Sequence, residues 1–249
     1  MALKDRNAVV TGGASGIGRA IALRLARDGC NVAIWDRDVS GARRVAEEIG
    51  GLGRRSVAIE VDVSSLRDAE SGADRVRREL GAVSILVNDA GYGEVVPLAQ
   101  MSEAQWDKMI AVHLKGTFNC TRSVVHDMID AHWGRIVSVS SVAGLKGAAG
   151  FVHYSAVKAG IAGFTKALAL ELGSTGITVN AIAPGLVDTP ILKASSVRDE
   201  TIAAIVRSTP VGRIGVPDDI AACCGYLVSE EASFLTGQIL SPNGGSHTW

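Results

Sequence analysis

Residues 7–36 read NAVVTGGASGIGRAIALRLARDGCNVAIWD. A short β-branched run, a glycine-rich loop, an Ala/Leu/Arg stretch of helical period and a second apolar run ending in Asp36 make one strand–loop–helix–strand unit. The alternation continues through SGARRVAEEIG, SVAIEVDV, a charged segment to Leu80, SILVNDAG, a long segment from Ser102 to Ala131, GRIVSVSS, a helix-like stretch from His153 to Leu172, and ITVNAIAPG. Runs that are apolar on both faces and separated by helices predict an α/β fold, a doubly wound parallel sheet with helices on both sides. No Pro/Ser linker, repeat or low-complexity tract interrupts the pattern, so residues 1–249 read as a single domain.

The chain has 249 residues, 47% of them hydrophobic and 20% charged, which is enough to bury a substantial core. Its formal net charge is -1 and no stretch concentrates Lys and Arg, which argues against a nucleic-acid partner. The stretch MALKDRNAVVTGG does not read as a signal peptide, and no apolar run approaches the length of a membrane span. Cys30, Cys120, Cys223 and Cys224 lack CxxC spacing and read as reduced thiols of a cytoplasmic protein. His113, His126, His132, His153 and His247 show no metal-ligand spacing, and no metal is expected.

Ligands of such sheets sit beyond the carboxyl ends of the strands. The loop after the first strand is TGGASGIG, in which Gly12, Gly16 and Gly18 permit a tight turn, close approach of backbone to a pyrophosphate and close helix–strand packing; Ser15 and Ile17 complete it. Asp36, closing the second strand, is placed to accept hydrogen bonds from ribose hydroxyls and to repel a 2′-phosphate, which favours NAD over NADP. Arg37 next to it could pair with such a phosphate, but Ser15, not a basic residue, precedes Gly16. Asp62 and Val63 end the third strand near the expected adenine. Asn88, Ala90 and Gly91 of NDAG end the fourth and bring small residues and backbone against the cofactor.

GRIVSVSS ends in Ser140 and Ser141, and YSAVK places Tyr154 and Lys158 at i and i+4, on one face of a helix. A free phenol is too weakly acidic to serve as a base at neutral pH, and a neighbouring ammonium favours its ionised form. Tyr154 is therefore the expected general acid/base, Ser141 the group that holds the substrate oxygen, and Lys158 both the modulator of Tyr154 and a ligand of the nicotinamide ribose. No G-x-S-x-G elbow supports a serine hydrolase built on Ser141 and His153.

With TGGASGIG, Asp36, VDV, NDAG, Ser141, YSAVK and ITVNAIAPG followed by LVDT in place, the chain resembles the short-chain dehydrogenase/reductase family from about residue 5 to about residue 245. The resemblance implies a Rossmann-type sheet of about seven strands and NAD(P)-dependent interconversion of an alcohol and a ketone. It further implies that Pro184, Gly185, Val187 and Thr189 meet the nicotinamide carboxamide, with a homotetramer built on the helices at Ser102–Ala131 and His153–Leu172. Two positions depart from the family's pattern. Asp89 stands where NNAG has asparagine, and His113, in MIAVHLKGTF, stands where the family has an asparagine whose main-chain carbonyl supports a water-mediated proton relay. Some members that handle acyl-CoA carry His there. His113 joins the candidate catalytic set on that ground, with its carbonyl as the acting group.

Substrate contacts are expected from Tyr92, Gly93 and Glu94, from Val142, Leu145 and Lys146, from Phe151 and His153, and from Leu186. Ile191 and Leu192 belong to residues 190–211, which read as a lid. The apolar character of Leu145, Phe151, Leu186, Ile191 and Leu192 favours a small aliphatic, cyclic or aromatic secondary alcohol. The alternative is a 3-oxoacyl thioester, with Lys146, Lys193 and Arg198 meeting the phosphates of the carrier; a catalytically idle NAD-binding sensor is a more distant one.

Overall fold

The computed structural model describes residues 3–190, 192 and 199–248. Its seven strands form one parallel sheet in the order β3-β2-β1-β4-β5-β6-β7. They are β1 (Asn7–Thr11), β2 (Asn31–Asp36), β3 (Ser56–Glu60), β4 (Ile85–Asn88), β5 (Gly134–Val139), β6 (Ile177–Ile182) and β7 (Ile239–Leu240). The order reverses between β1 and β4, where Thr11 pairs with Asn88, and the diverging loops there leave the crevice expected of a doubly wound sheet. β7 is two residues long, too short to leave a periodic signature in sequence.

Alternate residues of the central strands feed two separate cores. Ala8, Val10, Val32 and Ile34 face α1 (Gly16–Arg27), α2 (Val39–Gly51) and Ile220 and Leu227 of a C-terminal helix, Pro217–Val228. Val9, Ala33 and Trp35 face α3 (Leu66–Glu79) and the helices running through residues 103–130 and 152–172. Ile34 and Trp35 are fully buried on opposite sides. At ~1.5–3 kcal/mol for each large apolar side chain removed from water, burial on both faces explains why these strands read as unbroken apolar runs.

Local chemistry sets the helix starts. Asp38 accepts the Gly41 N–H at the start of α2, Ser65 accepts the Asp68 N–H at the start of α3, and Ser102 and Gln105 form a reciprocal capping box. The segment expected as one long helix is instead three pieces: α4 (Glu103–Met109), a π-helical stretch (Ile110–Lys115) and α5 (Gly116–Asp130). His113 sits inside the π stretch, whose wider turn redirects the side chains around it. A short α6 (Ala143–Lys146) follows β5, and α7 (Val152–Leu172) matches the expected second long helix.

Of the expected lid, α8 (Asp199–Ser208) is described, and α9 (Pro217–Val228) follows it. Ile191, Lys193 and Arg198 lie outside the described residues. No helix among the described residues is long and apolar enough to cross a membrane, and no group of three or more potential metal ligands occurs among them.

Candidate active site

The loop from Thr11 to Gly18 turns sharply between β1 and α1. Gly12 and Gly16 have φ of 67° and 55°, the left-handed region that side chains avoid. A Cβ on Gly12 would stand 2.8 Å from Ala90 Cα, and one on Gly18 would overlap the Gly12 carbonyl and lie 2.8 Å from Asp89 Oδ2. The glycines therefore form a cradle in which backbone, not side chain, faces the crevice at the N-terminus of α1. That fits a dinucleotide pyrophosphate.

Asp36 reaches back to this loop: the Ala14 N–H donates to its Oδ2 (3.0 Å) and the Asp38 N–H to its Oδ1 (2.9 Å). Arg37 is exposed, and its charge acts on Asp62. The Ser64 hydroxyl and N–H hold Asp62, the hydroxyl foremost, and keep its carboxyl below the usual carboxylate range.

Thr11, which the sequence reading passed over, accepts the N–H groups of both Asp89 and Ala90 (3.0 and 3.1 Å) and so fixes the end of β4 against the glycine loop. Asn88 turns inward, its amide donating to Ser138 and Thr121, and Val63 gives its carbonyl to Asn119. Their side chains and carbonyl thus serve the scaffold. Thr189 and Pro190 close over Gly16 from the other side, and the Val142 N–H donates to the Pro184 carbonyl, tying the two loops together. Val187 bridges to Gly215, and Gly185 packs against Asn243.

Ser141, Tyr154 and Lys158 converge beyond β5. The Ser140 hydroxyl donates to the Lys158 carbonyl (2.8 Å) and the Lys158 ammonium donates to the Val139 carbonyl (2.7 Å), which pins α7 to the end of the strand. Tyr154 hydrogen-bonds Ser141, and Lys158 Nζ lies 5.5 Å from the Tyr154 ring centre. The sequence leads one to expect an acidified phenol. The structure shows the reverse: burial pushes Tyr154 up to about 12, the Asp89 carboxylate adds to the rise, and Ser141 opposes it. Burial likewise brings Lys158 down to about 8, against the attraction of Asp89.

His113 stands beside this group. Its ring meets Tyr154 edge to face at 5.6 Å and Tyr92 at 5.5 Å. Nε2 lies 2.9 Å from the Tyr92 carbonyl and 3.1 Å from the Tyr92 N–H, so a protonated Nε2 donates to the first and a bare one accepts from the second. Nδ1 is buried with no partner among the described residues. Burial, followed by the Lys158 charge, holds the imidazole well below its usual pKa, so it is neutral at neutral pH. The His113 carbonyl, which the resemblance assigns to a relay water, accepts the Thr117 hydroxyl (2.8 Å).

The expected substrate residues divide. Tyr92 and Phe151 flank His113 and Tyr154, with Phe151 at 5.7 Å from Tyr154, while Val142 and Leu145 lie half-buried on and before α6. Leu186 lines a cavity of about 240 Å³ with Thr209, Val211, Ile214 and Asn243. Glu94 is engaged elsewhere, accepting from Gln105 (2.7 Å). His153 is fully buried rather than facing the crevice. Lys146 is exposed and donates to the Ser246 carbonyl, bringing the C-terminal segment to the rim. Leu192, half-buried, is tied back to the Thr189 hydroxyl.

Residues 6–200 match the profile of the family described as short chain dehydrogenase. The chain is 42% identical over 246 residues to an acetoacetyl-CoA reductase of Cupriavidus necator, covering 98% of this chain and 99% of that one. It is 40% identical over 245 residues, 98% of each, to the (2S)-[(R)-hydroxy(phenyl)methyl]succinyl-CoA dehydrogenase subunit BbsD of Thauera aromatica. It is also 37% identical over 247 residues, 99% of each, to the 3-oxoacyl-[acyl-carrier-protein] reductase FabG of Pseudomonas aeruginosa.

Proposed function

The chain belongs to the short-chain dehydrogenase/reductase family and is an oxidoreductase of CH–OH and keto groups, and on that premise we propose that it interconverts a 3-oxoacyl thioester and its 3-hydroxyacyl thioester. The observation that carries this reading is the meeting of Ser141, Tyr154 and Lys158 beside the glycine cradle in a chain whose relatives are named for thioester substrates. A free small alcohol, the first expectation from the sequence, is the weaker reading. The apolar residues that suggested it suit an acyl chain equally well.

A nicotinamide dinucleotide, when bound in the cradle, supplies the hydride donor or acceptor. The chain's residues handle the proton and the geometry. In reduction the ketone oxygen accepts hydrogen bonds from the Ser141 and Tyr154 hydroxyls, and the Tyr154 proton moves to that oxygen as the alcohol forms; oxidation runs the same transfer backwards. Lys158, fixed by the Val139 carbonyl, keeps a positive charge beside the phenol and would bind the ribose hydroxyls of a bound dinucleotide. His113, held to the Tyr92 main chain, sets the wall on which the Tyr154 ring rests. Asp36 disfavours a 2′-phosphate, which supports NAD over NADP. A homotetramer is part of the same reading, supported by two apolar side chains on the long helices, Phe118 of α5 and Leu170 of α7, that stand 45% and 88% exposed.

The test is turnover of acetoacetyl-CoA, an acetoacetyl carrier protein and unesterified ketones, each with NADH and NADPH. The thioesters should exceed free ketones in kcat/KM by at least about a hundredfold, because binding energy from the carrier is realised at the reacting carbon. Free ketones turned over equally well would overturn the thioester assignment, and a strong preference for NADPH would overturn the weight given to Asp36.

A further inference from the structure

Asp89 is the ionisable group that the proton transfer described above leaves unused. It stands at the end of β4, and its carboxylate accepts the Gly18 N–H at the N-terminus of α1, the helix end to which the negative pyrophosphate of a dinucleotide would be drawn. Four elements surround it with ionisable groups: Asp36 from the end of β2, Lys158 and Tyr154 from α7, Cys224 from α9, and His113 from the π-helical stretch by way of Lys158 and the neighbouring Gly91. Of these only Lys158 carries a positive charge, and its ammonium is bonded to the Val139 carbonyl rather than to Asp89. The carboxylate is therefore favoured by the Lys158 charge and, less, by one backbone donor, against burial and the charge of Asp36.

We propose that Asp89 is a positioning residue of the cofactor end that becomes fully protonated when a dinucleotide docks, taking up a growing fraction of one proton from solvent as pH rises, so that cofactor affinity falls as pH rises. The reasoning rests on the reading of the glycine cradle as a dinucleotide site. A carboxylate and a pyrophosphate compete for the same helix N-terminus and repel each other; a protonated carboxyl still fills the space against Gly18 without that repulsion. An asparagine in the same place would hold the same position with no proton to exchange. Burial pushes the Asp89 carboxyl up to about 7, so the group stands near half-ionisation at neutral pH and the exchange falls in the working range.

By linkage, a group that ionises at about 7 in the free protein and stays protonated in the complex weakens binding by about tenfold between pH 6 and pH 8. The experiment is titration of the whole protein with NADH and NAD in buffers of different ionisation enthalpy at several pH values, alongside Asp89→Asn. The expected result is proton uptake on binding by the parent protein, and tighter binding at pH 8 with smaller uptake in Asp89→Asn. Removing the Asp89 charge also eases deprotonation of Lys158, so the proton is assigned by infrared difference spectroscopy. A protonated-carboxyl band should grow on NAD binding to the parent protein and be missing from Asp89→Asn. Dinucleotide binding without that band overturns the role of Asp89 and leaves the cofactor reading intact. Failure of either dinucleotide to bind overturns both.

Discussion

Gly91 and His113 make a contact whose energetics can be worked from the structure. A Cβ on Gly91 would overlap His113 Cε1 and stand 2.8 Å from Nδ1 and 3.1 Å from Nε2. Ordinary contact is about 3.5–4.0 Å, so in Gly91→Ala the ring must move by about 1 Å. It has little room to do so, being held to the Tyr92 main chain on one side and seated against Tyr154 on the other. Overpacking of this kind costs ~1–3 kcal/mol. Gly91 is not among the glycines with positive φ, so alanine also gains ~0.4–1 kcal/mol by restricting the unfolded chain, which the clash outweighs. The expected net loss is about 1–2 kcal/mol, or roughly 2–8 °C at about 2–4 °C per kcal/mol for a chain of this size. Turnover should fall as well, because the displaced ring pushes on Tyr154. In a His113→Ala background the clash is gone and the same substitution should be neutral or slightly stabilising, giving a coupling of ~1–3 kcal/mol in a double-mutant cycle read by urea denaturation. An equal cost of Gly91→Ala in both backgrounds would refute the packing argument. His113→Asn, which leaves room at Gly91 and retains the backbone, should keep most activity, whereas His113→Pro should not.

Tyr154→Phe should lower turnover by about 10²–10⁴-fold while dinucleotide binding, followed by NADH fluorescence, persists; unchanged turnover would sink the acid/base role of Tyr154. The pH dependence has a definite sign. Because burial raises the Tyr154 phenol to about 12, its acid form dominates at neutral pH, so single-turnover ketone reduction should be nearly flat from about pH 6 to pH 8. Alcohol oxidation needs the phenolate and should accelerate with rising pH, by up to about tenfold per unit; an oxidation optimum below neutrality would contradict this. Leu170→Glu removes an 88% exposed apolar side chain, so it should change the assembly mass seen by light scattering while altering the stability of the fold by no more than ~0.5 kcal/mol. An unchanged mass would remove Leu170 from the proposed interface.

Features that are local in the chain were legible in the sequence. The glycine loop, the strand ends at Asp36 and Asp62, and the i, i+4 pair Tyr154 and Lys158 each depend on neighbours within a few residues, and the alternation of runs conveys the parallel sheet because its strands are buried on both faces. Features that depend on distant packing were not. Asp89 and Lys158 are 69 positions apart, and their mutual influence arises only where β4 and α7 meet. The rise of the Tyr154 phenol is a burial effect, which spacing does not report. The π-helical stretch at Ile110–Lys115 follows a helix-forming pattern and differs from it by a bonding register that periodicity does not resolve. His153 neighbours the catalytic tyrosine in sequence, yet its ring is turned into the protein. Substrate class suffers most from this: an apolar lining assembled from α6, α7 and the loop after β6 looks the same for a small ketone and for an acyl chain.

The strand order also bears on how the site comes into being. β1, β2 and β3 with α1 and α2 all lie within the first 60 residues and are sheet neighbours, so this half of the sheet can begin to pair while the rest of the chain is still being made, although α1 completes its core only against α9. Thr11, however, meets Asn88 only after β4 arrives, and Lys158 reaches the Val139 carbonyl only once α7 has docked on β5. The acid–base half is thus assembled from contacts of long sequence separation, which ties its formation to topology rather than to local propensity. A nascent chain of this protein can begin the cofactor's half of the sheet before the residues that use the cofactor exist, and it closes that half only with its C-terminal helix.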